Sequence, residues 1–571
     1  MAHVVKLPEY PAQGNGSFTL AKAICKSWVK IFEDTLRSRQ HSQLDTLFVN
    51  DAWIRDFLAF SWDFRTVQGR DALCSYITSN HDTSVWRIHV CEQGTHRPTF
   101  KTPSPGIHWV ETMFGFETAV GRGRGMLRLV LNSEIWKCYL INFTLEELKG
   151  HEEQVGLNRP IGYVDAAGGN WQQRRDQQRD FKTEEPTVFI VGAGQAGLTI
   201  AARLAQIGVS SLIIERSGRV GDSWRKCYKT LYTHDPIQYC HLPYIPFPAH
   251  WPYFMPKDKL ADWLESYSIL MELNVWCSTK LQTAQFDETS GSWTITVQRG
   301  DGTIRTMKPN HVVMATGNVG DAIVPQIPGQ DQFQGHLYHG SVHTDASSHP
   351  DLSNKKVVVV GSGNSAHDIC QNFYESGAGS VTMLQRGGAY VLTADKTLPM
   401  LHTGAYEEGG PPIEDCDLAG QSMPIPIQFA FNVFGCRDIS RVDKDTLEGL
   451  ARAGFQLDYG EDGSGIYRKY ITRGGGYYID IGCSQLIIDG KVKLKACPGG
   501  IASLSSKGLA LADGSDLEAG IIVLATGYET MHSTARRLFG EKVAHSLGEV
   551  WDLDEEGEVN SWTPKLLVHG R

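Results

Sequence analysis

Val188-Phe-Ile-Val-Gly-Ala-Gly-Gln-Ala-Gly197 decides the fold of this chain: a β-branched apolar run stops at a glycine turn, and a helical pattern of Leu198, Ala201, Ala202, Leu204 and Ala205 follows. Ser211-Leu-Ile-Ile-Glu215 supplies the next strand, so the unit reads strand, turn, helix, strand. Gly192 permits the tight bend, Gly194 lets backbone approach a pyrophosphate, and Gly197 lets the helix lie close on the strand. A phosphate held there, against Gln195 and Ala196, meets free N–H groups at a helix end carrying roughly half a positive charge. Glu215 ends the second strand, where a carboxylate bonds both ribose hydroxyls and repels a 2'-phosphate, so this site suits FAD or NAD.

The pattern recurs about 170 residues further on, at Val357-Val-Val-Val360, Gly361-Ser-Gly-Asn-Ser-Ala366, a helical stretch from His367 to Tyr374, and Val381-Thr-Met-Leu-Gln-Arg386. Gly361, Gly363, Asn364 and Ser365 form the second turn. Ala366 replaces the third glycine, and the strand ends in Arg386 where the first ended in Glu215. A guanidinium makes forked, charge-assisted bonds to a 2'-phosphate, so NADPH is expected here over NADH. Two further strands end in Ala315-Thr-Gly317 and Ala525-Thr-Gly527, with Thr316, Gly317, Thr526 and Gly527 as cofactor-binding candidates. Because the last lies beyond the second unit, that unit is expected to be inserted into the first.

Outward from these turns the chain divides. Residues 18–150 carry no nucleotide turn and read as a small α+β unit, with an amphipathic helix (Ala21, Ile24, Trp28, Ile31, Phe32) before aromatic strands around Trp53 to Phe64 and an aliphatic one from Met126 to Leu131. Residues 151–185 read as a polar linker. The fold class is therefore α/β, with two Rossmann-like dinucleotide-binding domains and a small domain in front. The FAD-binding domain is expected over 186–350 and 499–571, and the inserted NADPH-binding domain over 351–498.

With 571 residues, 41% hydrophobic content and a formal net charge of -10, the composition fits a multidomain globular protein and argues against nucleic-acid binding. No run approaches the ~18 apolar residues of a membrane span, and no signal core opens the chain, so a cytoplasmic protein is expected. The twelve cysteines are dispersed without a CxxC pair, which suggests neither a disulfide framework nor a metal site.

From Pro186 onward the chain resembles the class B flavoprotein monooxygenases, which include flavin-containing monooxygenases, Baeyer-Villiger enzymes and plant YUCCA-type enzymes. The resemblance rests on GAGQAG at Gly192, GDSW at Gly221, GSGNSAHD at Gly361, the two Ala-Thr-Gly segments, and Phe333-Gln-Gly-His-Leu-Tyr-His339, which matches the fingerprint FxGxxxHxxx(F/Y/W) except that position 343 is histidine. Leu231 to Tyr244, Pro256 to Trp263 and Arg473 to Asp480 look like a fungal-type YUCCA-like group with an N-terminal cone domain. Residues 18–150 themselves resemble the cone fold of nuclear transport factor and SnoaL-type cyclases.

The resemblance implies that NADPH reduces FAD, which forms a hydroperoxide with O2 and gives one oxygen atom to a small organic substrate, with secondary metabolism as the setting. It places Arg216, Asp222 and Trp224 at the first cofactor and His234 beside the flavin and nicotinamide as the catalytic candidate. Cones can hold a catalytic aspartate, for which Asp56 or Asp63 qualifies, though assembly or a wall of the substrate entrance is the favoured role. A homodimer is an open expectation. Two alternatives stand beside this reading. One is a disulfide-reductase-type flavoenzyme, which needs a redox cysteine pair. The other is an inactive flavin-binding scaffold, because related chains continue past the point matching Leu567 to Arg571.

Overall fold

The computed structural model describes residues 5–10, 16–38, 41–80, 86–162, 169–548 and 550–560. Part of the expected linker, 163–168, and the terminal stretch Leu567 to Arg571 lie outside the described residues.

Helix Phe18–Ser38 packs its Ile24, Trp28 and Phe32 face on a seven-stranded sheet ordered Phe64–Gln68, Phe48–Phe57, Ile135–Leu148, Gly121–Asn132, Ile107–Glu117 and Arg87–Val90, with Thr99–Ser104 also on Ile107–Glu117. Its interior is filled by rings. Phe143 meets Phe60, Trp86, Phe114 and Phe116 at centroid distances of 5.1 to 5.8 Å.

The first nucleotide unit is a parallel sheet ordered Val275–Trp276, Ser211–Ile214, Val188–Val191 and His311–Met314. Its strands read as continuous apolar runs because both faces are covered: helices Gln195–Gln206 and Lys257–Leu270 on one, and the antiparallel meander Lys280–Asp287, Ser292–Gln298 and Ile304–Met307 on the other. The second unit repeats the plan. A five-stranded parallel sheet, ordered His336–His339, Ile521–Leu524, Lys356–Val360, Ser380–Gln385 and Val492–Ala496, is backed by helix Asn364–Glu375 and by the meander Ile501–Ser505, Gly508–Leu511 and Asp516–Glu518.

This topology corrects the expected bounds at both ends, since strand His336–His339, read as part of the first unit's 186–350, pairs in parallel with Ile521–Leu524 in the second sheet. Strand Ile521–Leu524, assigned from sequence to the returning part of the first unit, hydrogen-bonds in parallel to Lys356–Val360 in the second. An Ala-Thr-Gly strand end serves either copy of the fold, so the motif alone does not say which. The chain returns to the first unit only after Gly527. There Tyr528–Thr530 pairs with Val319–Ala322, and helix Met531–Ser546 buries Ala535 and Phe539 beside Phe189 and Ile214.

Five helices stand where the sequence reading placed no element. Trp171–Asp180, inside the linker, is a helix held by a capping box in which Asn170 and Gln173 satisfy each other's backbone N–H groups. Between strands Tyr390–Thr393 and Tyr477–Asp480, helices Ile413–Gln421, Ile425–Val442, Lys444–Arg452 and Gly465–Arg473 form an insert on which the N-terminal unit rests. Ile427 is buried in the N-terminal core, and Trp109 meets Phe431 edge-on at 5.9 Å. Among the described residues, no helix is long and apolar enough to cross a membrane.

Candidate dinucleotide sites

Both glycine turns are shaped by the same close approach. Gly192 has φ +110°, and a Cβ there would lie 2.4 Å from the carbonyl oxygen of Ala315; Gly361 has φ +133°, and its Cβ would lie 2.4 Å from that of Ala525. Each turn is thus closed by the alanine of its own Ala-Thr-Gly segment. In both cases only glycine tolerates the backbone angle and the contact. Gly197 is needed because a Cβ would fall 2.0 Å from the Gly192 carbonyl oxygen, while Ala366 fits buried at the matching place in the second helix. Gly194 and Gly363 cap their helices in extended conformation without any side-chain hydrogen bond to the first turn, which leaves N–H groups available to a phosphate.

At the first site Glu215 accepts hydrogen bonds from the N–H groups of Ala193 (3.1 Å) and Ser217 (2.8 Å), so it braces the turn and keeps lone pairs for a ribose. Trp224 donates its indole N–H to Gln195 Oε1 at 3.4 Å, which sets the indole against the turn. Gln195, Ala196 and Arg216 are exposed there. Asp222 pairs with Arg225 at 3.3 Å; burial pushes its carboxyl up, but Arg225 and Lys226 outweigh that and hold it below the usual range. Thr316 Oγ1 is buried without a hydrogen-bond partner, and Gly317 follows at φ +100°.

At the second site Asn364 Oδ1 accepts the N–H of Ile479 (2.8 Å), and Ser365 faces the hydroxyl of Tyr228. Thr526, unlike Thr316, is occupied, donating to the Ile323 carbonyl at 2.6 Å. Gly527 has φ +86°, and its carbonyl oxygen lies 3.1 Å from Nε2 of His339, the fingerprint histidine. His343, where the fingerprint has an aromatic, fills that place: it stacks on Tyr338 and hydrogen-bonds Asn372 at 3.0 Å.

The register changes how the strand ends compare. Gly192 N–H donates to Ile214 O and Gly361 N–H to Leu384 O, so Ile214 matches Leu384, Glu215 matches Gln385, and Arg386 matches Arg216. Glu215 and Arg386 are therefore not counterparts. The acidic place in the second unit holds a buried amide, tied to the backbone of Gln456 at 3.0 and 2.9 Å, and the exposed Arg386 stands one residue beyond.

The two units meet at contacts that the motif reading did not single out. Tyr228, four residues after Trp224, donates to Asp368 Oδ2 on the second glycine helix at 2.6 Å, and Lys229 pairs with Asp345 at 2.9 Å. His234 is half-buried beside Asp368. Burial raises the carboxyl of Asp368, with the Tyr228 bond and the charge of His234 acting the other way. Next to it His367 lies flat on Tyr478 at 3.6 Å and hydrogen-bonds the Gly363 carbonyl at 3.0 Å. Ala315, Ala525 and Tyr228 were within reach of sequence reading only as repeats and spacings around the motifs.

The N-terminal aspartates take the plainer role. Asp56 is fully buried and accepts from the N–H groups of Ala59, Phe60 and Ser61 and from Tyr76 OH at 2.6 Å, which leaves it spoken for; Asp63 is exposed. The cleft of about 780 Å³ is lined mainly by charged groups of this unit, several already paired, such as Arg124 with Glu146, and that of about 700 Å³ lies where this unit meets residues 555–557, with Arg65 paired to Glu556. Neither cleft reaches a glycine turn.

Two glycine-cradled turns on successive parallel sheets, joined through Tyr228 and Asp368, define an oxidoreductase fold with paired dinucleotide sites. Residues 189–398 match the family described as pyridine nucleotide-disulphide oxidoreductase. The chain is 29% identical over 347 residues to the probable indole-3-pyruvate monooxygenase YUCCA3 of Arabidopsis thaliana, covering 60% of this chain and 72% of that protein. It is 28% identical over 366 residues to the indole-3-pyruvate monooxygenase YUCCA1 of Oryza sativa subsp. japonica, covering 62% and 79%. Among solved structures, an oxidized steroid monooxygenase bound to NADP aligns with a TM-score of 0.46 at 18% identity, covering 62% of this chain and 72% of that one. The redox part of the chain is thus similar in sequence to plant proteins named as indole-3-pyruvate monooxygenases.

Proposed function

We propose that this chain is an NADPH- and FAD-dependent monooxygenase that inserts one atom of O2 into a small organic substrate. The observation that carries the reading is the pair of unequal cradles, one with Glu215 and one with Gln385 and Arg386, bridged by Tyr228, Asp368 and His234. The residues fit the two cofactors. Both turns need a glycine where a Cβ would strike the alanine carbonyl of the adjoining Ala-Thr-Gly segment, both helix starts lack a side-chain cap, and Thr316 Oγ1 is buried without a partner.

FAD would be held by Gly192, Gly194, Gln195, Ala196, Gly197, Glu215, Arg216, Asp222, Trp224, Thr316 and Gly317, and NADPH by Gly361, Gly363, Asn364, Ser365, Arg386, Thr526 and Gly527. The bound pair supplies hydride transfer and activation of O2. The chain's own part is placement. Glu215 orients a ribose, the helix starts hold the phosphates, Arg386 meets a 2'-phosphate, and Trp224 walls the first site. Tyr228 fixes the position of the second glycine helix against the first unit, and His234 hydrogen-bonds and screens the reacting edge from water. A disulfide-reductase reading lacks its redox pair, since the sequence contains neither CxxC nor CxxxxC.

Turnover under 18O2 with NADPH tests the proposal. One labelled oxygen atom should enter product per NADPH consumed. His234→Ala should keep FAD bound while diverting O2 to hydrogen peroxide. Unlabelled product from the native chain contradicts oxygen transfer, and unchanged coupling in the variant removes His234 from the reacting edge.

A further inference from the structure

Helix Asn364–Glu375 begins on a peptide whose orientation is held from inside the helix. The Gly363 carbonyl accepts from the His367 backbone N–H at 3.2 Å and lies 3.0 Å from Nδ1 of the same residue. A carbonyl oxygen only accepts, so Nδ1 carries the proton and donates. A trans peptide is planar, with its C=O and N–H pointing opposite ways. Drawing the Gly363 oxygen into the helix therefore turns the Asn364 N–H outward, to the phosphate position.

The imidazole is itself fixed. His367 is fully buried, and Tyr478 lies flat on it, with ring centroids 3.6 Å apart and planes 6° from parallel. Phe455 meets the same imidazole at 5.7 Å. Tyr478 is locked at its far end, where its hydroxyl donates to Asp480 at 3.0 Å and accepts the N–H of Ile481 at 3.2 Å. In the same strand, Ile479 N–H donates to Asn364 Oδ1 at 2.8 Å. Strand Tyr477–Asp480 follows the helical insert, Phe455 lies within it, and the neighbouring Gln456 holds Gln385. The insert thus grips the second nucleotide site at its turn and at the adjoining strand end.

We propose that His367 and Tyr478 are positioning residues for the cofactor pyrophosphate: Tyr478 holds the imidazole, and the imidazole holds the Gly363–Asn364 peptide with its N–H presented to the phosphate. The inference rests on the placement of NADPH at the second turn and deepens it. A donor aligned before binding spares the ordering that the phosphate would otherwise impose on the turn. The pair acts through the backbone, so its effect belongs to the pyrophosphate and not to the 2'-phosphate that Arg386 meets. A leucine at either place keeps the buried space apolar while removing the donor or the flat face that holds it.

Calorimetry on FAD-loaded protein with NADP+ and with 2'-AMP, which carries the 2'-phosphate but no pyrophosphate, separates positioning from general damage. We expect His367→Leu and Tyr478→Leu each to weaken NADP+ by about tenfold and to leave 2'-AMP within about twofold of native, with the double variant no weaker than either single one. If Tyr478→Leu fails to fold, His367→Leu carries the test alone, because Tyr478 acts through His367. Equal NADP+ binding by the native chain and the variants overturns the proposal. So does an equal loss of NADP+ and 2'-AMP, or a double variant in which the two losses add. Turnover under 18O2 distinguishes this inference from the wider reading. A chain whose NADP+ affinity falls on these substitutions but whose product carries no label keeps the positioning pair and loses the monooxygenase function, while a native chain that binds no NADP+ removes both.

Discussion

Gln385 gives the second nucleotide site a neutral amide where Glu215 gives the first a carboxylate, and this single change removes the group that would repel a 2'-phosphate. Arg386, exposed one residue later, is then free to meet that phosphate. The expected consequence is selective. Arg386→Ala should raise the KM for NADPH by roughly tenfold to a hundredfold, the worth of a charge-assisted contact of about 1.5–3 kcal/mol, and leave the KM for NADH nearly unchanged. Steady-state kinetics with both cofactors checks this, and an equal rise for the two dismisses the phosphate contact. The turns and the Ala-Thr-Gly segments were legible in the sequence. The pairing of Glu215 with Gln385 was not, because it depends on which carbonyl each turn's first N–H reaches.

Helix Asn364–Glu375 starts at the second glycine turn without a side-chain cap, and its first two turns carry the buried His367 and Asp368. Burial pushes His367 down to about 4, and the helix holds it neutral against Tyr478. A histidine depressed in the folded state contributes stability that is full above its unfolded value near 6.5 and lost as pH falls toward 4. We therefore expect the protein to lose up to roughly 3 kcal/mol from this residue between pH 6.5 and 4, and His367→Gln to flatten that part of the curve. Denaturant titrations across the window provide the check, with an unchanged slope in the variant as the contrary result. Helices such as this one announce themselves through an apolar face. Trp171–Asp180 has no buried residue and escaped notice because its signal is a capping box rather than a hydrophobic period.

The whole molecule is tied together at the N-terminal unit, which touches both the helical insert and the last described stretch, 550–560. Arg55, 2% exposed, binds Glu558 at 2.5 Å and also donates to the Gln421 and Met423 carbonyls; Thr66 donates to the same carboxylate at 2.6 Å. Removing one partner strands a buried charge, so Arg55→Ala should cost about 3–5 kcal/mol and open the 550–560 stretch to proteolysis, while breaking the exposed Lys356–Glu518 pair should cost at most about 1 kcal/mol. Equal protease resistance in the Arg55 variant contradicts this bracing role. Such long-range contacts join residues about 500 positions apart, and no local pattern in the sequence encodes them. The recurrence of strand, glycine turn and helix was legible at both sites. The boundary of the return was misplaced because identical Ala-Thr-Gly strand ends close both copies. The central claim, two unequal dinucleotide sites coupled for electron transfer, is tested most directly by mixing FAD-loaded protein anaerobically with NADPH or NADH and following flavin bleaching. The account predicts rapid bleaching by NADPH and bleaching at least about tenfold slower by NADH. Equal rates, or a flavin that neither cofactor reduces, would contradict it.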